Sequence, residues 1–281
     1  MVLATRAAVV GRERESEVVA AALAAGRNLL LEGPPGTGKT TLLRALAGGA
    51  GVGLVLVEGN AELTPARLVG HHDPSRVLTE DYRPDNFVPG PLCRALLDGS
   101  LLYVEELNRV PEETLNVLLG VLSEREIHIP RYGVVPAAST FRLIAAMNPF
   151  DAVGTARITP ALYDRSCRVS MGYQNEEIEA AVVARVTSGA DELVRRSVRA
   201  VRLSRTHRDL RIGSSVRGAI DTVLVAGELA DIRGEAQPSE STGLDAARTA
   251  LTGKVTVQEG SARSVDEIVE ELWAAAAPGK P

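Results

Sequence analysis

The sequence is poor in cysteine, aromatic and lysine residues. The shortages of cysteine and of aromatic residues limit the kind of compartment and the kind of hydrophobic core that the protein can have. Only two of the 281 residues are cysteine, Cys93 and Cys167. Two are too few for a disulfide framework and indicate a reducing compartment. Aromatic residues make up 3% of the chain, whereas hydrophobic residues make up 45%. The predicted core therefore consists mainly of Leu, Val, Ile and Ala.

Long apolar runs are also missing. No stretch reaches the roughly 18 apolar residues of a transmembrane helix, and the segment before Glu17 has no signal-peptide pattern. The formal net charge of −5 argues against non-specific binding to a phosphate backbone. We therefore expect a cytoplasmic protein without a membrane span, and we do not expect nucleic acid as a partner. The length predicts one large and one smaller domain.

The few lysines direct attention to one segment. The only lysines are Lys39, Lys254 and Lys280, and every other basic residue is Arg. Lys39 lies in "NLLLEGPPGTGKTTLLRALA" (28–47), which has the pattern of a strand, a Gly/Pro turn and a Leu-rich helix. The turn and the start of the helix form a G-x-x-x-x-G-K-T motif, the phosphate loop, consisting of Gly33, Pro34, Pro35, Gly36, Thr37, Gly38, Lys39, Thr40 and Thr41.

This motif predicts a nucleotide site. Glycines let backbone amides turn toward an anion, and the N-terminus of the following helix adds positive potential. Lys39 is a compact charge on a flexible stem that reaches β and γ phosphates, while the Thr40 hydroxyl is suited to Mg²⁺. The expected ligands are therefore ATP and Mg²⁺. The alternative is a Gly-rich turn that only connects strand and helix.

A second apolar run, Leu101–Val104, leads directly into Glu105 and Glu106. A continuous apolar run is typical of a strand buried on both faces of a parallel sheet. In this interpretation Glu105 holds magnesium-bound water and Glu106 polarises the attacking water. The pair on its own is equally consistent with two solvated charges. Many nucleotide hydrolases carry Asp where Glu105 stands, so its extra methylene is either accommodated or weakens the metal site.

These motifs belong to a wider resemblance. Residues 9–40, 87–129, 141–171 and 210–220 resemble the segments that define the MoxR group of AAA+ ATPases, and the similarity is nearest to the branch of CoxD-like proteins. The resemblance implies an α/β AAA+ P-loop core with a five-stranded parallel sheet, residues 1–173, followed by a smaller helical lid domain, residues 174–281. It also implies a homo-oligomeric ring, a hexamer, with ATP at the subunit interfaces.

The resemblance implies partners as well. MoxR-type proteins commonly work with a von Willebrand A-domain protein and remodel, activate or insert metal into a client, and the similarity to CoxD-like proteins points to a molybdenum hydroxylase as the candidate client. Two alternatives stay open: a nucleic-acid motor on the same core, and a ring subunit that binds nucleotide with little or no hydrolysis. The negative charge and the shortage of aromatic residues for base stacking argue against the motor. The combination of Lys39, Glu106, Asn148 and Arg165 argues against the inactive subunit.

Further roles are implied residue by residue. Asn148, after the apolar run "LIAAM", matches sensor 1, although an Asx turn before Pro149 is the structural alternative. Arg165 in "LYDRSCR" matches the arginine finger that reaches a neighbouring subunit's γ-phosphate, with Arg168 as the competing candidate. Arg217 in "GSSVRGAI" matches sensor 2 of the lid, and the weaker candidates there are Arg208 and Arg211.

The remaining patterns predict local structure. Alternation in 125–144 predicts a hairpin, whereas His71, His72 and Asp73 lack a second cluster that a metal site would need. In 175–186, Asn175 is a candidate helix cap, and Ile178, Val182 and Val186 recur every fourth residue. The Gly- and Ser-rich stretch 233–245 predicts a loop. A basic stripe formed by Arg195, Arg199 and Arg202 favours a solvated or ion-paired helix face over a nucleic-acid surface.

Overall fold

The computed structural model describes residues 8–149 and 160–278. The chain divides into two compact units between Gly172 and Tyr173, with Pro35–Thr37 grouping with the second unit. The functional division into an ATPase core (1–173) and a lid (174–281) stays a prediction. Within the described ranges, every helix is too short or too polar to span a bilayer. Cys93 is buried and Cys167 exposed, and neither forms a disulfide.

A five-stranded parallel sheet organises the first unit, as predicted. The strands stand in the order β2-β5-β8-β1-β9. Their bounds are β1 (Asn28–Glu32), β2 (Leu54–Glu58), β5 (Leu101–Glu105), β8 (Arg142–Met147) and β9 (Ser166–Ser170). The three central strands are nearly continuous apolar runs, because helices cover both faces of the sheet.

Alternate residues of each strand enter different cores, since successive side chains point to opposite faces. Leu30 and Leu102 pack in one apolar cluster, whereas Leu31 and Tyr103 pack in the other. The helices that supply the outer layers are α1 (Glu13–Ala24), α2 (Lys39–Ala50), α3 (Pro65–Val69), α4 (Pro74–Glu80), α5 (Pro91–Asp98), α6 (Glu112–Glu124) and α7 (Pro160–Asp164). The result is the αβα arrangement that the resemblance implies.

Two small antiparallel pairs extend from this unit. Strands β6 (Glu126–Ile129) and β7 (Gly133–Pro136) form the hairpin predicted from the alternating pattern. The other pair joins β3 (Gly70–His72) to β4 (Phe87–Pro89). His72 stacks edge-on against Phe87. Among the described residues no group of three or more His, Cys, Asp and Glu side chains is arranged to hold a metal ion.

The second unit is helical. Its helices are α8 (Glu176–Val186), α9 (Asp191–Ser204), α10 (Val216–Arg233), α11 (Glu240–Leu251) and α12 (Val265–Ala275), and its short strands are β10 (Leu210–Ile212) and β11 (Thr256–Val257). Asn175 caps α8 as predicted, with its side chain accepting a hydrogen bond from the Ile178 amide. The predicted loop 233–245 is shorter than expected, because Ser239 caps a helix that already begins at Glu240.

The buried face of α8 differs from the predicted one. Val186 is exposed, and the buried residues are Glu179, Ala180 and Val183. A buried glutamate breaks the apolar pattern that sequence reading follows. Glu179 is 3% exposed and accepts hydrogen bonds from Arg205 at 2.8 Å and Arg202 at 3.2 Å. Its charge is thereby compensated inside the unit.

The basic stripe on α9 pairs with carboxylates of its own chain. Arg195 pairs with Asp191 at 2.8 Å and Arg199 with Glu176 at 2.9 Å, while Arg202 contacts Glu179. These contacts favour the ion-paired helix face over a nucleic-acid surface.

We predict that Glu179→Ala lowers the free energy of unfolding by about 3 kcal/mol, because it leaves the mostly buried Arg205 guanidinium without its counter-charge. The matched control is Glu176→Ala on the same helix, where the ion pair with Arg199 is more exposed. That change should cost less than about 1 kcal/mol. Urea unfolding of both variants measures the difference, and equal losses would contradict the assigned role of Glu179.

Candidate functional site

Three of the predicted groups meet at the carboxyl edge of the sheet. Strands β5, β8 and β1 are neighbours, and in a parallel sheet their carboxyl ends lie side by side. The phosphate loop follows β1, Glu106 follows β5, and Asn148 follows β8. The backbone amide of Gly33 donates to the carbonyl of Met147 at 3.1 Å. This bond ties the start of the phosphate loop to the strand that carries Asn148.

The glycines of the phosphate loop are required by its backbone geometry. Gly36 and Gly38 have φ of 75° and 85°, a region that favours glycine. A Cβ at Gly33 would lie 2.1 Å from the carbonyl oxygen of Met171, so no other residue fits there without a backbone shift. The loop then passes into α2, whose first residue is Lys39 and whose first turn includes the exposed Thr41.

Lys39 folds back over the loop that precedes it. Its Nζ donates to the carbonyl oxygens of Gly33 and Pro34, both at 2.9 Å. The ammonium group therefore lies at the start of α2, where the unpaired amides of a helix N-terminus also favour an anion. This donor set fits the phosphates of a nucleotide.

A second cluster surrounds Glu105. The Thr40 hydroxyl donates to Glu105 Oε1, and the Tyr103 hydroxyl donates to the same oxygen at 3.0 Å. Burial raises the pKa of the Tyr103 phenol, and the Glu105 carboxylate raises it further. Tyr103 therefore remains a donor. Hydroxyl and carboxylate oxygens are the ligands that Mg²⁺ prefers, so Thr40 and Glu105 fit the predicted metal role.

Sequence reading missed Tyr103, although a signal was present. Residues two apart on a strand share a face, which places Tyr103 on the same side as Glu105. Tyr103 is fully buried and its ring spans the distance to the strand end. It holds the carboxylate whose extra methylene raised the question of a weakened metal site.

Glu106 is held in a different way. Its backbone is left-handed, with φ 48° and ψ 44°, which a non-glycine residue adopts only at a cost of order 1–3 kcal/mol. Strain of this kind concentrates at functional positions. The half-exposed Glu106 side chain forms an ion pair with Arg109 at 3.1 Å. Glu105 and Glu106 therefore stand in distinct environments, one tethered by hydroxyls and one open to solvent. Asn148 is partly buried at the neighbouring strand end.

Arg165 lies at the opposite edge of the sheet. Ser166, the next residue, pairs with Asn28 at the start of β1, whereas the phosphate loop follows the end of β1. Five residues of strand separate these ends by roughly 13 Å. Arg165 Nε donates to Ser123 Oγ at 2.8 Å, and 37% of its side chain is exposed. Arg165 therefore lies at the end of β1 away from the chain's own phosphate loop.

The other two candidate arginines are placed differently. Arg168 reaches Glu32 at 3.5 Å, at the carboxyl end of β1, and so points away from the edge that carries Arg165. Arg217 is exposed in the first turn of α10, in the second unit. The roles of Arg165 and Arg217 stay predictions.

Comparison with family models gives two matches. Residues 28–166 match the AAA domain of the dynein-related subfamily, and residues 6–49 match the ChlI subunit of magnesium chelatase. The first match contains the phosphate loop, Glu105, Glu106, Asn148 and Arg165, whereas Arg168 lies just beyond its end. It ends before the helical second unit.

Curated relatives point in the same direction. The uncharacterized protein YojN of Bacillus subtilis is 34% identical over 65% of this chain and 61% of its own length. Protein MoxR of Methylorubrum extorquens is 38% identical over 43% of this chain and 34% of its own. The gas vesicle ATPase GvpN of Ancylobacter aquaticus is 29% identical over 73% and 62%, respectively. The chain spans about three fifths of the length of the first relatives that it matches.

Solved structures share the fold. A protein of Cytophaga hutchinsonii has a TM-score of 0.51 at 20% identity, covering 96% of this chain and 91% of its own. The RuvB Holliday junction branch migration motor of Thermotoga maritima has a TM-score of 0.56 at 17% identity, covering 85% and 70%. At these identities the likeness is one of fold alone.

We predict that Tyr103→Phe increases the Mg²⁺ concentration needed for half-maximal binding of the nucleotide–magnesium complex by up to about tenfold, because Glu105 loses a charge-assisted hydrogen bond. Nucleotide binding measured in EDTA should not change. Tyr163→Phe is the matched control, since its hydroxyl bonds Glu32 rather than Glu105. An unchanged Mg²⁺ requirement in Tyr103→Phe would show that the hydroxyl does not position Glu105.

A second prediction concerns the length of the Glu105 side chain. Glu105→Asp shortens it by one methylene and withdraws the carboxylate from the Tyr103 and Thr40 hydroxyls. If these bonds fit the longer acid to the site, the Asp variant needs at least as much Mg²⁺ as the natural chain. A lower Mg²⁺ requirement in the same titration would instead identify Glu105 as a weakened ligand.

Proposed function

We propose that this chain, which belongs to the MoxR family of AAA+ ATPases, hydrolyses ATP with Mg²⁺ as a subunit of a homo-oligomeric ring. The observation that carries this proposal is the convergence of Lys39, Thr40, Glu105, Glu106 and Asn148 at one edge of the sheet. A degenerate site has no physical reason to retain a strained acid, a tethered acid and a folded-back lysine together.

The residues divide the work of phosphoryl transfer. Lys39 and the loop amides hold the β and γ phosphates, and Thr40 and Glu105 hold the metal position. When bound, Mg²⁺ neutralises charge that develops on the phosphates. Glu106 accepts the proton of the attacking water, and Asn148 orients that water. Arg165 supplies positive charge to the γ-phosphate of a neighbouring subunit, which its distance from its own phosphate loop supports.

The wider role is proposed from the resemblance. We propose that ATP turnover remodels, matures or inserts metal into a client protein, a molybdenum hydroxylase being the candidate, with a von Willebrand A-domain protein as partner. A hexamer is the proposed ring. Two reduced cysteines support a reducing compartment such as the cytoplasm. The branch of CoxD-like proteins is likewise a proposal.

We predict that Glu106→Gln lowers ATP turnover by a factor of about 100 or more, because it removes the proton acceptor. The affinity for ATP should change less than about twofold, since Lys39 and the loop amides remain. Turnover follows from phosphate release, and affinity from titration with a fluorescent ATP analogue. Glu113→Gln, an exposed glutamate in the first turn of α6, is the matched control and should keep full activity.

Two outcomes would contradict the proposal. Equal turnover in Glu106→Gln and the natural chain would remove Glu106 from the base role. Absence of turnover in the natural chain, alone and with the partner, would support a ring subunit that only binds nucleotide.

A third measurement adds single- and double-stranded DNA to the natural chain, because strong stimulation of turnover would favour a nucleic-acid motor instead.

A further inference from the structure

Gly59 directly follows β2 and lies against the two acids at the end of β5. β2 and β5 are neighbouring parallel strands, and their register pairs Glu58 with Glu105. Gly59 is buried, and its amide donates to the carbonyl oxygen of Glu105 at 2.8 Å. The contact between the two strands therefore continues past the end of β2 and reaches the peptide group that joins Glu105 to Glu106.

The absence of a side chain at Gly59 leaves room for the backbone on both sides of Glu106. A Cβ at Gly59 would lie 2.6 Å from the carbonyl oxygen of Glu105 and 2.5 Å from that of Glu106. Both distances are well inside the roughly 3.5–4.0 Å of favourable contact. These two oxygens belong to the peptide groups that flank the Glu106 Cα. A methyl group at position 59 would therefore collide with backbone and not with a side chain that can turn away.

Gly59 is needed for space and not for an unusual backbone conformation. Its φ lies outside the left-handed region that favours glycine. Alanine at this position would also lower the conformational entropy of the unfolded chain, which by itself favours folding. The close approach of the Glu105 and Glu106 carbonyls is thus the physical reason for a glycine here.

Glu106 depends on this space because its own backbone is strained. With φ 48° and ψ 44° it is left-handed, whereas the right-handed and extended conformations are the relaxed ones for a glutamate. The Arg109 amide donates to the Glu106 carbonyl at 2.8 Å, and Gly59 lies against the same oxygen. Relaxation would rotate the Cα–Cβ bond of Glu106 and carry its carboxylate away from the place where it pairs with Arg109.

We infer that Gly59 is a positioning residue for Glu106. Its missing side chain lets the end of β2 pack against the Glu106 backbone and keeps the carboxylate where it accepts the proton of the attacking water. The inference rests on the proposed function, since Gly59 acts only through this base. The phosphate loop is remote from Gly59, because β5 and β8 stand between β2 and β1. Glu105 has its own supports in the Tyr103 and Thr40 hydroxyls.

The first test fills the space with a methyl group. Gly59→Ala should lower ATP turnover at least about tenfold, because a misplacement on the order of 1 Å can cost a catalytic group about 100-fold in rate. The affinity for ATP, titrated with a fluorescent analogue, should change less than about twofold. The Mg²⁺ concentration needed for half-maximal binding of the nucleotide–magnesium complex should not change.

Gly53→Ala is the matched control. Gly53 directly precedes β2, just as Gly59 directly follows it. A Cβ at Gly53 would meet the Ser100 side chain, whose hydroxyl can rotate away. The control therefore makes the same chemical change beside the same pair of strands, at the end away from Glu106. It should keep full turnover.

The second test asks whether Gly59 acts through the Glu106 carboxylate. In a Glu106→Gln background this carboxylate is already absent, so adding Gly59→Ala should lower turnover by less than about a further twofold. An effect on another part of the site would instead cost the same factor in both backgrounds. Phosphate release measured with protein in excess over ATP resolves the low rates of these variants.

Several outcomes would overturn the inference. Full turnover in Gly59→Ala would do so when Glu106→Gln is slow. Lost ATP affinity or a raised Mg²⁺ requirement in Gly59→Ala would do so as well, because the change would then act on the phosphate loop or on Glu105. An equal further loss in the Glu106→Gln background would have the same consequence. Full turnover in Glu106→Gln alone is a different result, since it contradicts the proposed function itself.

Discussion

The parallel pairing of β1 on both of its sides is the constraint on which the rest of the first unit depends. β8 lies on one side, paired with Leu29 to Glu32, and β9 on the other, paired with Asn28 to Glu32. This pairing directs the carboxyl end of β1 into the phosphate loop and brings Arg165 to its amino end. The two chemical sites of the unit are therefore the two ends of one buried strand, and burial on both faces holds them at a fixed separation.

Such a separation has a functional consequence. The candidate Arg165 stands at the end of β1 away from the chain's own phosphate loop, so in the proposed mechanism a single chain lacks this charge at its own nucleotide. In the proposed ring, a head-to-tail neighbour would supply this charge and would itself need the next subunit, so that catalysis and assembly would be coupled.

Glu105 and Glu106 show how adjacent acids acquire different properties. Glu105 is held by a buried phenol and a threonine hydroxyl, whereas Glu106 sits on a left-handed backbone beside Arg109. The first arrangement holds the Glu105 carboxylate in a fixed position, which suits a ligand of a metal ion. The second leaves a carboxylate that reaches solvent, where the attacking water must come from. The extra methylene of Glu105 is matched to its hydroxyl donors, which argues for an accommodated acid rather than a decayed one.

Sequence patterns predicted the parts of this site that depend on local chemistry. The phosphate loop, the apolar strand before Glu105 and the cap at Asn175 all follow from spacing within a few residues. Contacts formed by folding escaped prediction. Glu179 pairs with arginines 23 and 26 positions away. Because these pairs bury Glu179, the buried face of α8 differs from the one that the spacing of its apolar residues predicted, and Val186 is exposed. Arg142 and Arg165 belong to one cavity although 22 residues separate them in the sequence.

Lysine and arginine occupy different kinds of position in the first unit. Where a compact charge must fold back over a loop and reach successive phosphates, the chain keeps a lysine, Lys39, despite its bias toward arginine. Arg142 and Arg125 are instead held by backbone carbonyl oxygens, a task suited to a planar guanidinium group because its fork fixes its own orientation with two donors.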